Sequence, residues 1–452
     1  MDETRAALDH TLLDWVADTA GGKIVHVDRR PGGGRREAWV VDVETPDGTT
    51  LPLFLRYDRL DPAQRGDPFT LHREAQFYRA FADSPVPIPR IVGVHPTEQA
   101  ILSERVPGQA WFSRLTDENE RVAIASDFMR ILAEMHRVDP ARLELPDQHP
   151  GMGLRRLVEH EIDVWERIYR DAGGKSDPLV ELALGWVRRN IPDADGPVVI
   201  VQGDTGPGNF LYEDGKVTAV LDLELGHLGD PHDDLAWVTT RAVQEPFTDI
   251  HDRFADYERA SGMRIDLDRV RYYRVLAELQ IVVLGTGGVD LLGEVGNALP
   301  YGLLHRRLLV EALADVLGTD LELPADVEAE PTELQWLYDA ALEQIRHIIV
   351  PRSEDAFVVL RSKGLARILK YLRDANRFGD RITERDLDDL EAALGSRPDT
   401  VTDGTTELVA RHFAGEIPIE DVLTVLFRQI AGRTQQMRSA MGVLAERHFD
   451  AL

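Results

Sequence analysis

The pattern of hydrophobic and polar positions changes about a quarter of the way along the chain. Alternating positions and short apolar runs predict strands at 23–28, 37–43, 51–57, 91–94 and 100–106. From Asp117 onward, apolar residues recur three and four positions apart. This spacing predicts helices at 122–136, 154–169 and 179–190. The chain therefore begins with a β-rich part and continues as a mainly helical one.

A second group of short strands interrupts the helical part. Apolar, β-branched runs predict strands at 198–201, 210–212 and 217–221, with a glycine- and proline-rich loop after the first and a turn at 213–216. A hairpin of the last two strands would bring the loop that carries Asp204 and Asn209 back beside Asp222. We therefore expect these three polar side chains to lie close together.

The last 120 or so residues are predicted to be entirely helical. Residues 324–331 (PADVEAEP) have the composition of a linker, and helices are expected at 332–349, 353–376, 384–394, 405–413 and 419–445, with a turn at Gly379-Asp380. The predicted domains are a β-rich lobe at 1–106, a helical lobe at 107–323, the linker at 324–331 and a C-terminal helical domain of unassigned role at 332–452. The predicted fold class is α+β, followed by an all-α bundle.

Asp204, Asn209 and Asp222 are the residue types that phosphoryl transfer from a nucleotide requires. Asp204 could accept the proton of an attacking hydroxyl, and Asn209 and Asp222 could hold Mg²⁺ against the phosphates. Four residues separate Asp204 from Asn209, which is the spacing of a kinase catalytic loop. Any one of the three alone would be interpreted as an ordinary turn residue.

The chain resembles the aminoglycoside phosphotransferase family, in the broad sense that includes choline-kinase-like and acyl-CoA-dehydrogenase-associated kinases. The resemblance covers roughly residues 20 to 310 and rests on four segments: Gln202-Gly203-Asp204 through Asn209, Asp222-Leu223-Glu224, Gly229-Asp230-Pro231 and Asp234-Leu235-Ala236. It implies a protein-kinase-like fold of two lobes, with residues 1–106 covering the nucleotide and residues 107–323 forming the catalytic lobe that also binds the substrate. It also implies that Asp204 is the base, that Asn209 and Asp222 hold Mg²⁺ with Glu224 as a further ligand, and that Gln202, Asp230 and Asp234 support the site.

The resemblance also indicates where a nucleotide would bind. Gly33 and Gly34 would approach the phosphates, although a triple glycine is also what a flexible hairpin needs. Arg56 stands where kinases place a lysine and would pair with Glu74 on the next helix, whereas the simpler alternative is a solvated strand end. Glu104 and Val106 would line the hinge against the base. Such contacts are mostly with the main chain, so ATP is expected but is not separated from GTP.

Composition narrows the class of protein. The 452 residues contain no cysteine, which excludes disulfides and thiol catalysis and fits a reducing, cytoplasmic location. The formal net charge of −28 argues against nucleic acid or an anionic membrane as a partner. An acidic field would suit a cationic acceptor such as an aminoglycoside or amino alcohol, but solubility alone also explains it.

Two functional hypotheses follow. The first is a small-molecule kinase that transfers the γ-phosphoryl group of a nucleotide to a hydroxyl group. The second is a catalytically silent nucleotide-binding regulatory module that acts through its C-terminal helical domain, and Gln202, Leu223 and Arg56 favour it. In either case the role of residues 332–452 is left open between a scaffold, a homodimer contact and a module that docks a protein partner.

Overall fold

The structure, a computed structural model, describes residues 8–30, 36–59, 68–174, 176–193, 195–286 and 295–452. The chain folds into two compact units. The first comprises residues 1–160, 192–270 and 450–452, and the second comprises 161–191 and 271–449. The predicted domain boundaries at 106, 323 and 331 stay predictions.

The first unit contains all the described strands. In chain order they are β1 (Lys23–Arg30), β2 (Glu37–Glu44), β3 (Thr50–Tyr57), β4 (Ile91–Val94), β5 (Ala100–Glu104), β6 (Val199–Val201), β7 (Phe210–Glu213), β8 (Lys216–Val220) and β9 (His227–Gly229). The first five form one antiparallel sheet in the order β1-β2-β3-β5-β4. Strands β6 and β9 form a second, two-stranded sheet, and β7 and β8 a third.

Helices make up most of the rest. They are α1 (His10–Ala20), α2 (Leu71–Phe81), α3 (Glu118–Met135), α4 (Leu154–Asp171), α5 (Pro178–Arg189), α6 (Pro231–Gln244), α7 (Ile250–Ser261), α8 (Leu267–Leu284), α9 (Val295–Leu317), α10 (Gln335–Gln344), α11 (Ala356–Leu394), α12 (Val401–Phe413) and α13 (Ile419–Met441). A π-helical turn (Ile345–Ile349) and a short helix (Val350–Arg352) follow α10. Short 3₁₀ helices lie at Phe112–Arg114, Pro140–Arg142, Pro150–Met152 and Gly442–Glu446. None of the described helices combines the length and hydropathy needed to cross a bilayer.

One face of the five-stranded sheet is covered by α1. Trp39, Val41 and Val43 occupy alternate positions of β2, so they point to the same face, and all three are fully buried. They share a hydrophobic cluster with Leu12 and Val16 of α1. Each such side chain contributes about 1.5–3 kcal/mol when it leaves water. The alternation that predicted a strand here thus also determines which residues form the core.

The β-rich start and the helical continuation confirm the predicted fold class. One strand was missed: His227–Gly229 forms β9, which pairs antiparallel with β6 in the register Val199 to Gly229 and Val201 to His227. A strand of three residues is too short to show a period of two, and its pairing partner lies 28 positions away in sequence.

The second unit corrects one prediction. The turn expected at Gly379-Asp380 does not occur, because α11 runs unbroken from Ala356 to Leu394. A mid-helix glycine costs about 1 kcal/mol relative to alanine. Helix α11 nevertheless buries Ile382, Leu390 and Leu394 at helical spacing, and Arg428 of α13 forms an ion pair with Asp389 at 2.8 Å. Tertiary packing therefore outweighs the local preference for a break.

Candidate active site

The loop between β6 and β7 holds Asp204 and Asn209 against each other. The Asn209 side-chain amide donates from Nδ2 to the main-chain oxygen of Asp204 at 2.7 Å and to its carboxylate Oδ2 at 2.5 Å. The carboxylate side chain of Asp204 is only 20% exposed. The loop therefore closes on itself and presents a carboxylate whose orientation is fixed by a neutral amide.

The β7–β8 hairpin brings Asp222 to the same place, as expected from the sequence. The main-chain N–H of Leu221 donates to the Asn209 carbonyl oxygen at 2.9 Å. Asp222 follows with a φ of 58°, a left-handed conformation that is uncommon for a residue other than glycine. Its N–H donates to the Tyr78 hydroxyl oxygen at 3.2 Å. An unusual backbone conformation at a polar residue is typical of functional sites.

Arg56 links the five-stranded sheet to this hairpin. It lies on β3, and its guanidinium forms an ion pair with the fully buried Glu74 of α2 and lies 3.3 Å from Asp222 Oδ1. The contact that the sequence predicted between Arg56 and Glu74 is therefore present. Burial alone would lower the pKa of Arg56, but the Glu74 and Asp222 carboxylates outweigh burial and raise it.

A second arginine, Arg36, completes the network and was given no role from the sequence. Its guanidinium lies 2.8 Å from Glu74 Oε2 and 2.5 Å from Glu224 Oε2, and only 5% of the residue is exposed. Glu74 thus contacts two guanidinium groups at once. Burial and the nearby Asp222 carboxylate raise the pKa of Glu224 to about 7, against the opposing effect of Arg36 and Arg56.

The residues just before Asp204 are held by Asp234. Its carboxylate accepts from the main-chain N–H groups of Gln202 and Gly203, at 3.0 and 3.1 Å, and from the Thr205 hydroxyl. His136 Nε2 hydrogen-bonds to it at 2.9 Å. Burial would raise the pKa of Asp234, but these hydrogen bonds outweigh burial and lower it.

Gln202 and Asp230 also make structural contacts. Gln202 is fully buried and donates from Nε2 to the Leu221 carbonyl oxygen at 2.7 Å. Asp230 caps α6 by accepting from the His232 N–H at 3.0 Å, and it forms an ion pair with Arg269. Two nearby histidines each contact a carboxylate: His232 contacts Asp230, and His227 contacts Asp233.

The remaining predicted residues are less informative. Gly33 and Gly34 lie outside the described residues. Glu104 ends β5, is 46% exposed on its side chain and forms an ion pair with Arg90 at 2.5 Å. Val106 is half-buried just beyond the strand. Their predicted contacts with a nucleotide base stay predictions.

Arg241 was also missed from the sequence. It lies on α6, and its guanidinium is 3.5 Å from Asp204 Oδ1 and 3.4 Å from Asn209 Oδ1. The sequence could have suggested Arg241, because it follows Asp234 by seven residues and therefore lies on the same helix face two turns later. Arg36 lies in a segment, Gly33-Gly34-Arg35-Arg36, that loosely resembles one of related proteins, but its contacts with α2 and with the segment after β8 cannot be read from that segment.

A sequence model of the phosphotransferase enzyme family (APH) matches residues 29–277, which contain the end of β1, strands β2 to β5, the loop and the hairpin. The chain belongs to the phosphotransferase enzyme family. Its fold is the kinase-like fold expected from the resemblance, and the prediction that it is a phosphotransferase is confirmed at this level.

Curated relatives match a part of the chain. Acyl-CoA dehydrogenase family member 11 of Rattus norvegicus is 32% identical over 119 residues, which is 26% of this chain and 15% of the relative. Acyl-CoA dehydrogenase family member 10 of Mus musculus is 27% identical over 202 residues, which is 42% of this chain and 17% of the relative. The chain therefore matches less than a fifth of the length of each of these two relatives.

Among solved structures, a thermostable mutant of the aminoglycoside phosphotransferase APH(4)-Ia in a ternary complex with ADP and hygromycin B is 17% identical. The match covers 61% of this chain and 91% of that one, with a TM-score of 0.45. The ADP-bound phosphotransferase APH(2'')-Ib is 14% identical over 69% of this chain and 97% of that one, also with a TM-score of 0.45.

The oxygen ligands of the site suit the cation that kinase chemistry requires. Mg²⁺ binds through one or two carboxylates together with substrate phosphates and water, not through a dedicated protein cage. Asp222 and Glu224 supply two carboxylates, and Asn209 supplies an amide oxygen from the adjoining loop. The described part of the chain has no group of three or more acidic or histidine side chains arranged to hold a metal ion. The carboxylate and amide oxygens present therefore fit Mg²⁺ bound together with a nucleotide.

Proposed function

We propose that this phosphotransferase transfers the γ-phosphoryl group of a nucleoside triphosphate, ATP in the first instance, to a hydroxyl group of a small molecule. One observation carries the proposal: Arg56 contacts both Glu74 on α2 and Asp222 on the hairpin. A guanidinium that bridges these two carboxylates stands where the phosphates of a nucleotide would meet the groups that act on them.

Asp204 is the proposed base. Its carboxylate would accept the proton of the attacking hydroxyl as the oxygen bonds to the γ-phosphorus and the nucleoside diphosphate leaves. Asn209 orients that carboxylate, because Nδ2 donates to it and to the main-chain oxygen of the same residue. The chain thus positions the carboxylate that would accept the hydroxyl proton before transfer begins.

Arg56 and Arg36 are the proposed phosphate-binding cations. Both guanidinium groups are held by Glu74, so their orientation is set before a nucleotide arrives. An arginine fork can bind a carboxylate and a phosphate oxygen at the same time. The replacement of the usual kinase lysine by Arg56 therefore keeps the charge and supplies the donors as a planar fork.

Asn209 and Asp222 would hold Mg²⁺, with Glu224 as a further ligand. The bound cation would neutralise charge on the phosphates during transfer. Asp222 and Glu224 lie within 3.9 Å of the Arg56 guanidinium, at 3.3 and 3.9 Å. Binding of a cation at these oxygens would weaken the two ion pairs and leave Arg56 free to turn toward a phosphate.

The decisive experiment is phosphoryl transfer from γ-labelled ATP to a panel of hydroxy acids, amino alcohols and aminoglycosides. We expect Mg²⁺-dependent transfer to at least one class, and loss of that transfer in Asp222→Asn. Asp214→Asn is the matched control, because Asp214 is an exposed turn residue of the same hairpin with a similar φ of 50°. Absence of transfer and of nucleotide hydrolysis in the wild-type protein would contradict the proposal.

The second candidate is a nucleotide-binding regulator without turnover that acts through the helical region at 332–452. Both candidate metal carboxylates already form ion pairs, Asp222 with Arg56 and Glu224 with Arg36. Carboxylates that keep these arginine partners would bind Mg²⁺ poorly, which is compatible with a site that binds a nucleotide without transferring its phosphoryl group. Nucleotide binding without transfer or hydrolysis would favour this candidate over the kinase.

A further inference from the structure

Arg241 contacts three groups of the loop at 204–209, which we call the catalytic loop. Its Nε and Nη2 atoms donate to the Pro207 carbonyl oxygen at 3.2 and 3.1 Å. Nη2 also lies 3.4 Å from Asn209 Oδ1, and Nη1 lies 3.5 Å from Asp204 Oδ1. One guanidinium thus spans the loop from its first residue to its last.

The loop backbone is shaped around this side chain. A Cβ atom at Gly206 would lie 2.7 Å from Arg241 Cβ, and one at Gly208 would lie 2.5 Å from its Nη2. Both glycines have positive φ, 143° and 97°. The two glycines are therefore required for the backbone conformation and for the close approach of the arginine.

Helix α6 holds the catalytic loop at two points of opposite charge. Near its start, Asp234 accepts from the N–H groups of Gln202 and Gly203, the two residues that lead into the loop. Two helical turns later, Arg241 donates to oxygen atoms at the end of the loop. A donor-only guanidinium also requires that the Asn209 amide oxygen faces it. The amide nitrogen must then face Asp204, which is the orientation that the proposed base needs. The amide oxygen has a second lone pair, which stays available to the Mg²⁺ proposed to bind at Asn209.

We propose that Arg241 is a positioning residue, which rests on the function proposed above. It fixes the orientation of the Asp204 carboxylate and of the Asn209 amide without contacting the arginines that would bind the nucleotide phosphates. Its loss should therefore lower the rate of transfer and leave nucleotide binding nearly unchanged.

The kinetic test compares Arg241→Ala and Arg241→Lys with wild type, using transfer to the acceptor found in the panel or, without one, Mg²⁺-dependent ATP hydrolysis. We expect kcat of Arg241→Ala to fall by about 100-fold, as for a misplaced catalytic group. We expect KM for ATP to change by less than about threefold. Lysine supplies one point charge and not a fork, so it should recover only part of the rate. Added guanidinium ion should restore part of the kcat of Arg241→Ala.

Arg121→Ala is the matched control. Arg121 also donates to main-chain carbonyl oxygens, those of Leu115 and Pro246 at 3.4 and 3.0 Å, but these lie away from the catalytic loop. Its loss should lower stability without changing the kcat of the folded protein, and guanidinium should not alter its rate. Unchanged kcat in Arg241→Ala, or a rise in KM that accounts for the whole loss of kcat/KM, would overturn the proposal.

A double-mutant cycle, measured by melting temperature, tests the same contact without an activity assay. Gly208→Ala places a methyl group against Arg241 Nη2, so it should lower the melting temperature more in the wild-type background than in Arg241→Ala. Equal shifts in the two backgrounds would overturn the proposed loop contact. A wild-type protein that turns over no nucleotide would contradict the proposed function instead, and the double-mutant cycle would still report on Arg241.

Discussion

Gln202 donates from Nε2 to the Leu221 carbonyl oxygen at 2.7 Å. This hydrogen bond connects the segment that leads into the catalytic loop with the residue before Asp222. The family resemblance places a histidine at position 202. Within the described residues, the other polar atom of the Gln202 side chain, Oε1, has no hydrogen-bond partner. A single donor is therefore all that this position supplies, and either an amide or an imidazole could supply it.

Gln202→His should accordingly retain phosphoryl transfer within about threefold, whereas Gln202→Leu should reduce kcat by about tenfold, as expected when a buried carbonyl oxygen loses its donor. The measurement is kcat of both variants at saturating nucleotide, with circular dichroism to verify that they are folded. A leucine variant as active as wild type would show that this hydrogen bond does not position Asp222.

Glu74 is fully buried between two guanidinium groups, so its removal should be costly. Glu74→Ala leaves Arg36 and Arg56 as buried charges without their shared carboxylate. We expect the free energy of unfolding to fall by about 3–5 kcal/mol. Urea denaturation measures this loss. Glu104→Ala is the control: its partner Arg90 is 68% exposed on its side chain, and loss of an exposed pair costs about 1 kcal/mol or less. Similar losses in the two variants would contradict the account of Glu74.

Asp386 makes the stability of the second unit depend on pH. Burial raises the pKa of this carboxyl from 3.8 to about 6, although Arg385 opposes the rise. A group with a raised pKa in the folded state contributes stability that is present below its unfolded pKa and is lost as pH rises through the folded value. The wild-type protein should therefore lose stability relative to Asp386→Asn between about pH 4 and pH 7, by roughly 1–3 kcal/mol. Denaturant unfolding of both proteins at several pH values checks this, and a constant difference would contradict it.

Gly379 lies in the middle of α11, where its replacement should be favourable. An added Cβ would have its nearest neighbour, Gln436 Nε2, at an ordinary 3.9 Å. Gly379→Ala should therefore raise the free energy of unfolding by about 0.5–1 kcal/mol. In the helix α12, a Cβ at Gly404 would lie 2.5 Å from Pro398 Cγ, so Gly404→Ala should destabilise the protein. In thermal unfolding, the melting temperature should rise in Gly379→Ala and fall in Gly404→Ala. A lower melting temperature in Gly379→Ala would be evidence for a break in α11.

The sequence predicted those parts of the fold and site that are local. Strand periodicity predicted every end of the five strands in the main sheet to within two residues. The spacing of the loop and the hairpin correctly predicted that Asp204, Asn209 and Asp222 come together. The pairing of Arg56 with Glu74 was implied by the resemblance to kinases, which place a lysine and a glutamate at these positions. Features that depend on distant packing were missed: β9 needs β6 as a partner, and the continuity of α11 at Gly379 depends on burial along the helix.

The two missed arginines illustrate the same limit. Arg36 becomes important because α2 and the segment after β8 both approach it, and nothing in its own neighbourhood predicts Glu74 or Glu224 as a partner. Arg241 lies on a predicted helix, but its contacts with Asp204 and Asn209 depend on how the glycine-rich loop folds back on α6. Helical spacing from Asp234 would have suggested the shared face, although not the contact.

The central claim is that Asp204 acts as the base of a phosphotransferase, and Asp204→Asn tests it most directly. With Asp214→Asn as the control, transfer of the γ-phosphoryl group and the dissociation constant of MgATP should be measured on the same preparations. Loss of the proton acceptor should lower kcat by about 10²–10⁴-fold and leave MgATP binding nearly unchanged. Equal turnover in Asp204→Asn and the control would contradict the assignment.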